Sequence, residues 1–146
     1  MGTFFEDVKV GEKYTSSGRT ITETDIVQFA GLSGDYNPLH VDKEYARKSM
    51  FKQRIAHGAL TFSVMTGLWD SLGFLRKTVI AFYGVDKMRF VNPVYIGDTI
   101  HLELEIVEKK DREKDGLIVI LNRLLNQKEE EVMVCEAVLL VKKREV

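Results

Sequence analysis

The sequence predicts an α+β fold in which one long apolar helix is wrapped by a curved antiparallel sheet. Three observations carry that expectation. The chain has 146 residues, of which 45% are apolar and 29% charged, enough for one core and one domain spanning 1–146. From Gly58 to about Phe74 it is apolar nearly all round, with Leu60, Phe62, Val64, Met65, Leu68, Trp69 and Leu72; a helix of that kind calls for cover on every face. The remaining half reads as long segments joined by short polar turns, the pattern of an antiparallel meander.

The elements follow in order. A strand is expected near Lys13 to Thr20. Thr22 opens the run Thr-Glu-Thr-Asp, in which its hydroxyl caps a helix and Asp25 lies in the first turn. Ile26, Val27, Phe29 and Ala30 continue at helical spacing, so residues 22–32 read as a short amphipathic helix. Ser33-Gly34-Asp35-Tyr36-Asn37-Pro38-Leu39-His40 is dense in turn residues and reads as an irregular loop. Lys43 to Lys48 suits one helical turn, and the apolar helix from Gly58 comes next. Thr78 to Phe90 is β-branched and aromatic, ending at Asn92-Pro93. Asp98 to Glu108 alternates, with Ile100, Leu102, Leu104 and Ile106 on one face and His101, Glu103 and Glu105 on the other. Leu117 to Leu125 and Glu131 to Lys142 complete the strands.

Composition excludes several classes of function. Lys and Arg number 21 against 22 Asp and Glu, for a net charge of -1. That is neither a basic footprint for nucleic acid nor an acidic tail. The lone Cys135 forms no intramolecular disulfide and suits a reducing compartment. Met1 to Asp7 lacks the basic start and apolar run of a signal peptide. The apolar stretch from Ala59 to Leu75 carries Thr61, Ser63, Thr66, Asp70 and Ser71 and falls short of the ~20 residues a bilayer needs. The expectation is a soluble cytoplasmic protein with neither a nucleic-acid nor a membrane partner. The basic tail Lys142-Lys143-Arg144 reads as a solvated end.

The loop from Asp35 to His40 carries the chemistry. Five residues apart in a strand, their side chains would be separated by about 16 Å and point to opposite faces. In a loop bent by Asn37 and Pro38 they can converge, and an Asp beside a His makes an acid–base pair. Tyr36 between them would then turn into the core. The same residues are also plain turn chemistry, in which Asp35 and Asn37 bond the turn and His40 caps the next segment. His57-Gly58 opens the apolar helix, whose first amides have no intrahelical partner and favour negative charge. A backbone N–H there can stabilise an enolate-like oxygen, or Gly58 can serve tight packing alone. Thr66 is a hydroxyl bonded to its own helix or one reaching back toward the His. With three His, none paired at helical ligand spacing, and one Cys, no metal is expected. No Gly-x-Ser-x-Gly elbow, dinucleotide fingerprint or Walker loop is present.

The run Phe29-Ala30-Gly31-Leu32-Ser33-Gly34-Asp35-Tyr36-Asn37-Pro38-Leu39-His40, with Ala46 beyond it, resembles the signature of MaoC-like (R)-specific enoyl-CoA hydratases. Ile55-Ala56-His57-Gly58 and Arg89-Phe90-x-x-Pro93-Val94-x-x-Gly97-Asp98-Thr99 are similar to further segments of that family. The resemblance spans about Phe5 to Val141, with Thr66 standing where members often carry Ser. It implies a hot-dog fold paired into a homodimer, or an oligomer of such dimers. It implies reversible hydration of a trans-2-enoyl-CoA to an (R)-3-hydroxyacyl-CoA, with the acyl-CoA as substrate and no cofactor. In that reaction Asp35 and His40 activate the water and the Gly58 N–H polarises the thioester carbonyl. Asn37, Thr66 and His57 support the site or the substrate. Met50, Phe51, Met65 and Trp69 are candidates to limit acyl length, and Arg89 to meet CoA phosphates. The rivals, in order, are a 3-hydroxyacyl-[acyl carrier protein] dehydratase, a hot-dog thioesterase and a non-catalytic acyl-CoA-binding or regulatory module.

Overall fold

A computed structural model describes residues 3–144 of the chain. Met1, Gly2, Glu145 and Val146, the ends of the expected 1–146 domain and part of the N-terminal segment weighed as a leader, lie outside the described residues. The strand expected near Lys13 to Thr20 is two short ones, β1 (Lys13–Thr15) and β2 (Arg19–Thr20), both paired with a later strand. Ser16 interrupts them by spending its amide on Leu102 O at 2.8 Å and its Oγ on Leu102 N at 2.9 Å. Helix α1 (Glu23–Ser33) starts at a capping box, in which Thr22 Oγ1 accepts from Asp25 N and the Asp25 carboxylate accepts from Thr22 N. It stops at Gly34, whose φ of +80° suits a residue without Cβ. Two short helices follow, α2 (Pro38–Val41) and α3 (Lys43–Arg47), capped by Asn37 and Asp42.

The apolar run forms α4 (Gly58–Ser71), ending before Gly73 at φ +78°. It is not covered on every face within this chain. Leu60, Val64, Met65 and Leu68 are buried, whereas Ala59, Ser63, Gly67 and Ser71 form one exposed stripe. Recurring every fourth position, those small and hydroxylated residues share one side and leave little apolar surface there to hide.

Four long strands complete the chain: β3 (Val79–Phe90), β4 (Thr99–Asp111), β5 (Gly116–Leu125) and β6 (Glu131–Val141). The meander expectation holds for β4, β5 and β6 but not for β3, which pairs with β6. The outer edge of β4 is already taken by β1 and β2, so β3 joins the opposite edge and the order becomes β1-β4-β5-β6-β3. All the pairings are antiparallel.

The alternation along β4 is as expected. Ile100, Leu102, Leu104 and Ile106 are buried, and with Ile118, Ile120, Leu124, Cys135 and Leu139 they form the apolar layer clustered with α4. Each such Leu or Ile contributes about 1.5–3 kcal/mol by leaving water. This is a hot-dog arrangement, a central helix held in a curved antiparallel sheet. No helix among the described residues is long and apolar enough to cross a membrane. The basic tail is tied down rather than free: Lys143 pairs with Asp111 at 2.6 Å and Arg144 with Asp7.

Candidate active site

The segment between α1 and α4 is built by short side chains that accept from the backbone just ahead. Ser33 Oγ accepts from Asp35 N at 3.1 Å, Asp35 Oδ1 from Asn37 N at 3.1 Å, and Asn37 Oδ1 from Leu39 N at 3.0 Å. Pro38 then starts α2, with its φ preset for a first helical position. This succession bends the chain so that Asp35 and His40 meet. One carboxylate oxygen of Asp35, one ring nitrogen of His40 and one of His57 lie within 4.8 Å of one another. Turn chemistry and convergence thus coexist: Asp35 Oδ1 accepts from the turn, and the same carboxylate reaches the two imidazoles.

The hydrogen bonds assign both imidazoles. His40 Nδ1 faces Ile55 O at 2.8 Å. A carbonyl only accepts, so Nδ1 carries the proton and the neutral ring keeps its lone pair on Nε2. His57 Nε2 likewise donates to Asp35 O at 2.9 Å, and its buried Nδ1 has no partner. Burial, foremost, pushes the pKa of His57 below the ordinary value, against the hydrogen bond to Asp35 and with the help of nearby His40. The two rings stack at 3.8 Å between centroids and 26° between planes.

Gly58 follows at once. His57 gives α4 no side-chain cap, and the first helix-closing bond runs from Thr61 N to His57 O at 3.0 Å. The preceding amides are therefore unused by the helix. Gly58 borders a cavity of about 460 Å³ whose walls include Met50, Phe51, Phe90, Val94 and Val132. A Cβ at Gly58 would lie 3.1 Å from the Phe90 ring, so the glycine lets that ring close against the helix start.

Other expected residues lie elsewhere. Thr66 is not brought to the pair: its Oγ1 donates to Ser63 O at 2.6 Å, and it borders a separate cavity of about 170 Å³ with Met65, Trp69 and Phe82. Of the four residues suggested to limit acyl length, Met50 and Phe51 border the cavity at Gly58, while Met65 and Trp69 border the other. Arg89 is exposed and bonds the Met88 carbonyl. Tyr36 does not enter the core but is 60% exposed, its hydroxyl back over Gly31 of α1. The whole run from Ser33 to Pro38 is exposed. The sequence does not mark Phe90 or the Ile55 carbonyl as parts of the site. Phe90 belongs to the Arg89-Phe90-x-x-Pro93 segment, but a backbone carbonyl leaves no trace in a sequence. Two groups among the described residues have the spacing to hold a metal ion, Asp35/His40/His57 and His101/Glu103/Glu129.

Residues 6–127 match the MaoC like domain family. The chain is 42% identical over 106 residues to protein MaoC of Klebsiella aerogenes, covering 73% of this chain and 31% of that protein. It is 43% identical over 97 residues to an (R)-specific enoyl-CoA hydratase of Rhodospirillum rubrum, covering 66% of this chain and 65% of that enzyme. The matched region thus spans under a third of the first relative and just under two thirds of the second. Among solved structures, a monoamine oxidase regulatory protein from Archaeoglobus fulgidus superposes with a TM-score of 0.93 at 40% identity, over 98% of this chain and 97% of that one.

Proposed function

The chain belongs to the MaoC-like domain family, and on that premise we propose that it is a hydro-lyase interconverting a trans-2-enoyl-CoA and an (R)-3-hydroxyacyl-CoA. The observation that carries this reading is the convergence of Asp35 and His40 beside the unused amides at the start of α4. Conjugate addition of water needs those parts. His40 Nε2 and the Asp35 carboxylate hold a water. Its hydroxyl bonds to the β-carbon, its proton goes to the α-carbon, and the double bond is lost. Charge developing on the thioester oxygen in between is met by the Gly58 N–H and the helix dipole. No electrons leave the substrate, so the reaction calls for no redox cofactor. The largely apolar cavity beside Gly58 is where an enoyl group would lie.

Association with a second copy, the homodimer of the family resemblance, is supported by strand β3. Among the described residues its outer edge has no strand partner, and Ile80, Phe82 and Tyr83 on it are exposed.

The test is to add the purified protein to crotonyl-CoA and longer trans-2-enoyl-CoAs and follow the conjugated enoyl absorbance. Loss of absorbance with a product oxidised by an (R)-specific dehydrogenase is expected. No turnover at any acyl length, or release of free CoA thiol, would overturn the reading, the latter in favour of a thioesterase.

A further inference from the structure

We propose that His57 is a positioning residue, whose buried ring holds both the Asp35 backbone and the His40 imidazole in register with the Gly58 amide. The inference rests on the hydratase reading and adds a second histidine to it, one that touches no substrate.

Asp35 needs such a support. From Ser33 to Pro38 every residue is exposed, so packing does little to fix the carboxylate. His57, by contrast, is only 2% exposed. Its ring lies against Phe29 of α1 edge-on at 4.9 Å and against His40 of α2 face-on at 3.8 Å. Its Nε2–H reaches across 22 positions to the Asp35 carbonyl at 2.9 Å. Its own carbonyl takes bonds from Thr61 N at 3.0 Å and Thr61 Oγ1 at 3.2 Å. One residue therefore ties together the end of α1, the Asp35 turn, α2 and the first turn of α4.

The side chain has to be histidine for physical reasons. Phenylalanine would stack but could not donate, and a glutamine amide would donate without the same stack. A cationic donor would be costly at this depth. Burial pushes the His57 pKa below the ordinary value, which favours the neutral ring, and that ring presents a single N–H to the carbonyl and a flat face to His40. The cost is visible in Nδ1, a buried acceptor with no partner, a kind of orphan that native proteins keep where something offsets it.

Two measurements test this. The first compares wild type, His57→Phe and His57→Gln in crotonyl-CoA hydration, with thermal unfolding of each. His57→Phe is expected to lower kcat about a hundredfold with KM little changed, the scale of misplacing a reacting group by about 1 Å. His57→Gln, which returns a donor near the Nε2 position, is expected to recover about tenfold of that loss. A His57→Phe protein with kcat within about threefold of wild type, or a folded His57→Gln with no recovery, overturns the proposal. The second measurement needs neither activity nor a variant. Side-chain 15N spectra of the wild type should show the neutral His57 ring as its Nε2–H tautomer, the one that donates to the Asp35 carbonyl. An Nδ1–H tautomer overturns the proposal. A wild type that hydrates no enoyl-CoA rejects the hydratase reading instead, and the spectra still decide the role of His57.

Discussion

The sheet from Thr99 to Val141 and the segment from Ser33 to Arg54 are held together by different physics. In the sheet, side chains alternate into a shared apolar layer, and each strand pairs with its neighbour along most of its length. In the segment, Ala46 is the one buried residue. Its shape comes from five side chains that cap or close their own turns: Ser33, Asp35, Asn37, Asp42 and Ser49 each accept from a backbone amide two or three residues ahead. Burial makes the sheet stable and chemically plain. The segment spends little apolar area and leaves polar groups where a substrate can reach them, at the cost of depending on a few long-range bonds from His40 and His57.

Substitutions test that contrast. The largest effect on stability is expected in the sheet. Ile120, fully buried in the middle of β5, should cost about 2–5 kcal/mol on replacement by Ala. Denaturant unfolding would read that, while kcat per folded molecule stays unchanged. Gly34→Ala strikes the start of the segment, where φ is +80°. It should cost about 1–2 kcal/mol and, by shifting Asp35, lower kcat as well; an unaltered kcat would separate the turn from the site. Thr22→Ala removes the α1 cap, for about 1 kcal/mol measured by thermal unfolding and no change in kcat. The smallest effect concerns pH. His57 is held below its ordinary pKa in the folded chain, so as pH falls below about 6.5 the unfolded chain takes up a proton that the folded one refuses. Its contribution to stability is present above that pH and is lost progressively below it. Unfolding midpoints should decline over this range in the wild type and less steeply in His57→Gln.

How much could be read beforehand also divides along this line. A period of two announces which residues of β4 are buried, and a Thr-x-x-Asp box announces where α1 begins, because both depend on residues a few positions apart. A period of two does not say which strand lies beside which. The place of β3 next to β6 was therefore not legible, since it depends on β1 and β2 having taken the edge of β4. In the site, Asp35, His40 and Gly58 stood out by residue type and spacing. The bond from His57 to Asp35 did not, because its acceptor is a backbone carbonyl 22 positions away. Neither did the outward course of Tyr36, whose hydroxyl lies back over Gly31, nor the exposed stripe of α4, whose small residues do not disturb an apolar average.

The central claim is that Asp35 and His40 carry chemistry in a segment that carries little of the fold. Its most direct test measures hydration of crotonyl-CoA and unfolding on the same preparations of wild type, Asp35→Asn and His40→Gln. The expected result is a loss of kcat of about 10²–10⁴-fold in each variant, with unfolding midpoints close to that of the wild type. Activity within about threefold of the wild type in both folded variants, or a loss that only follows the fraction of protein unfolded, would contradict it.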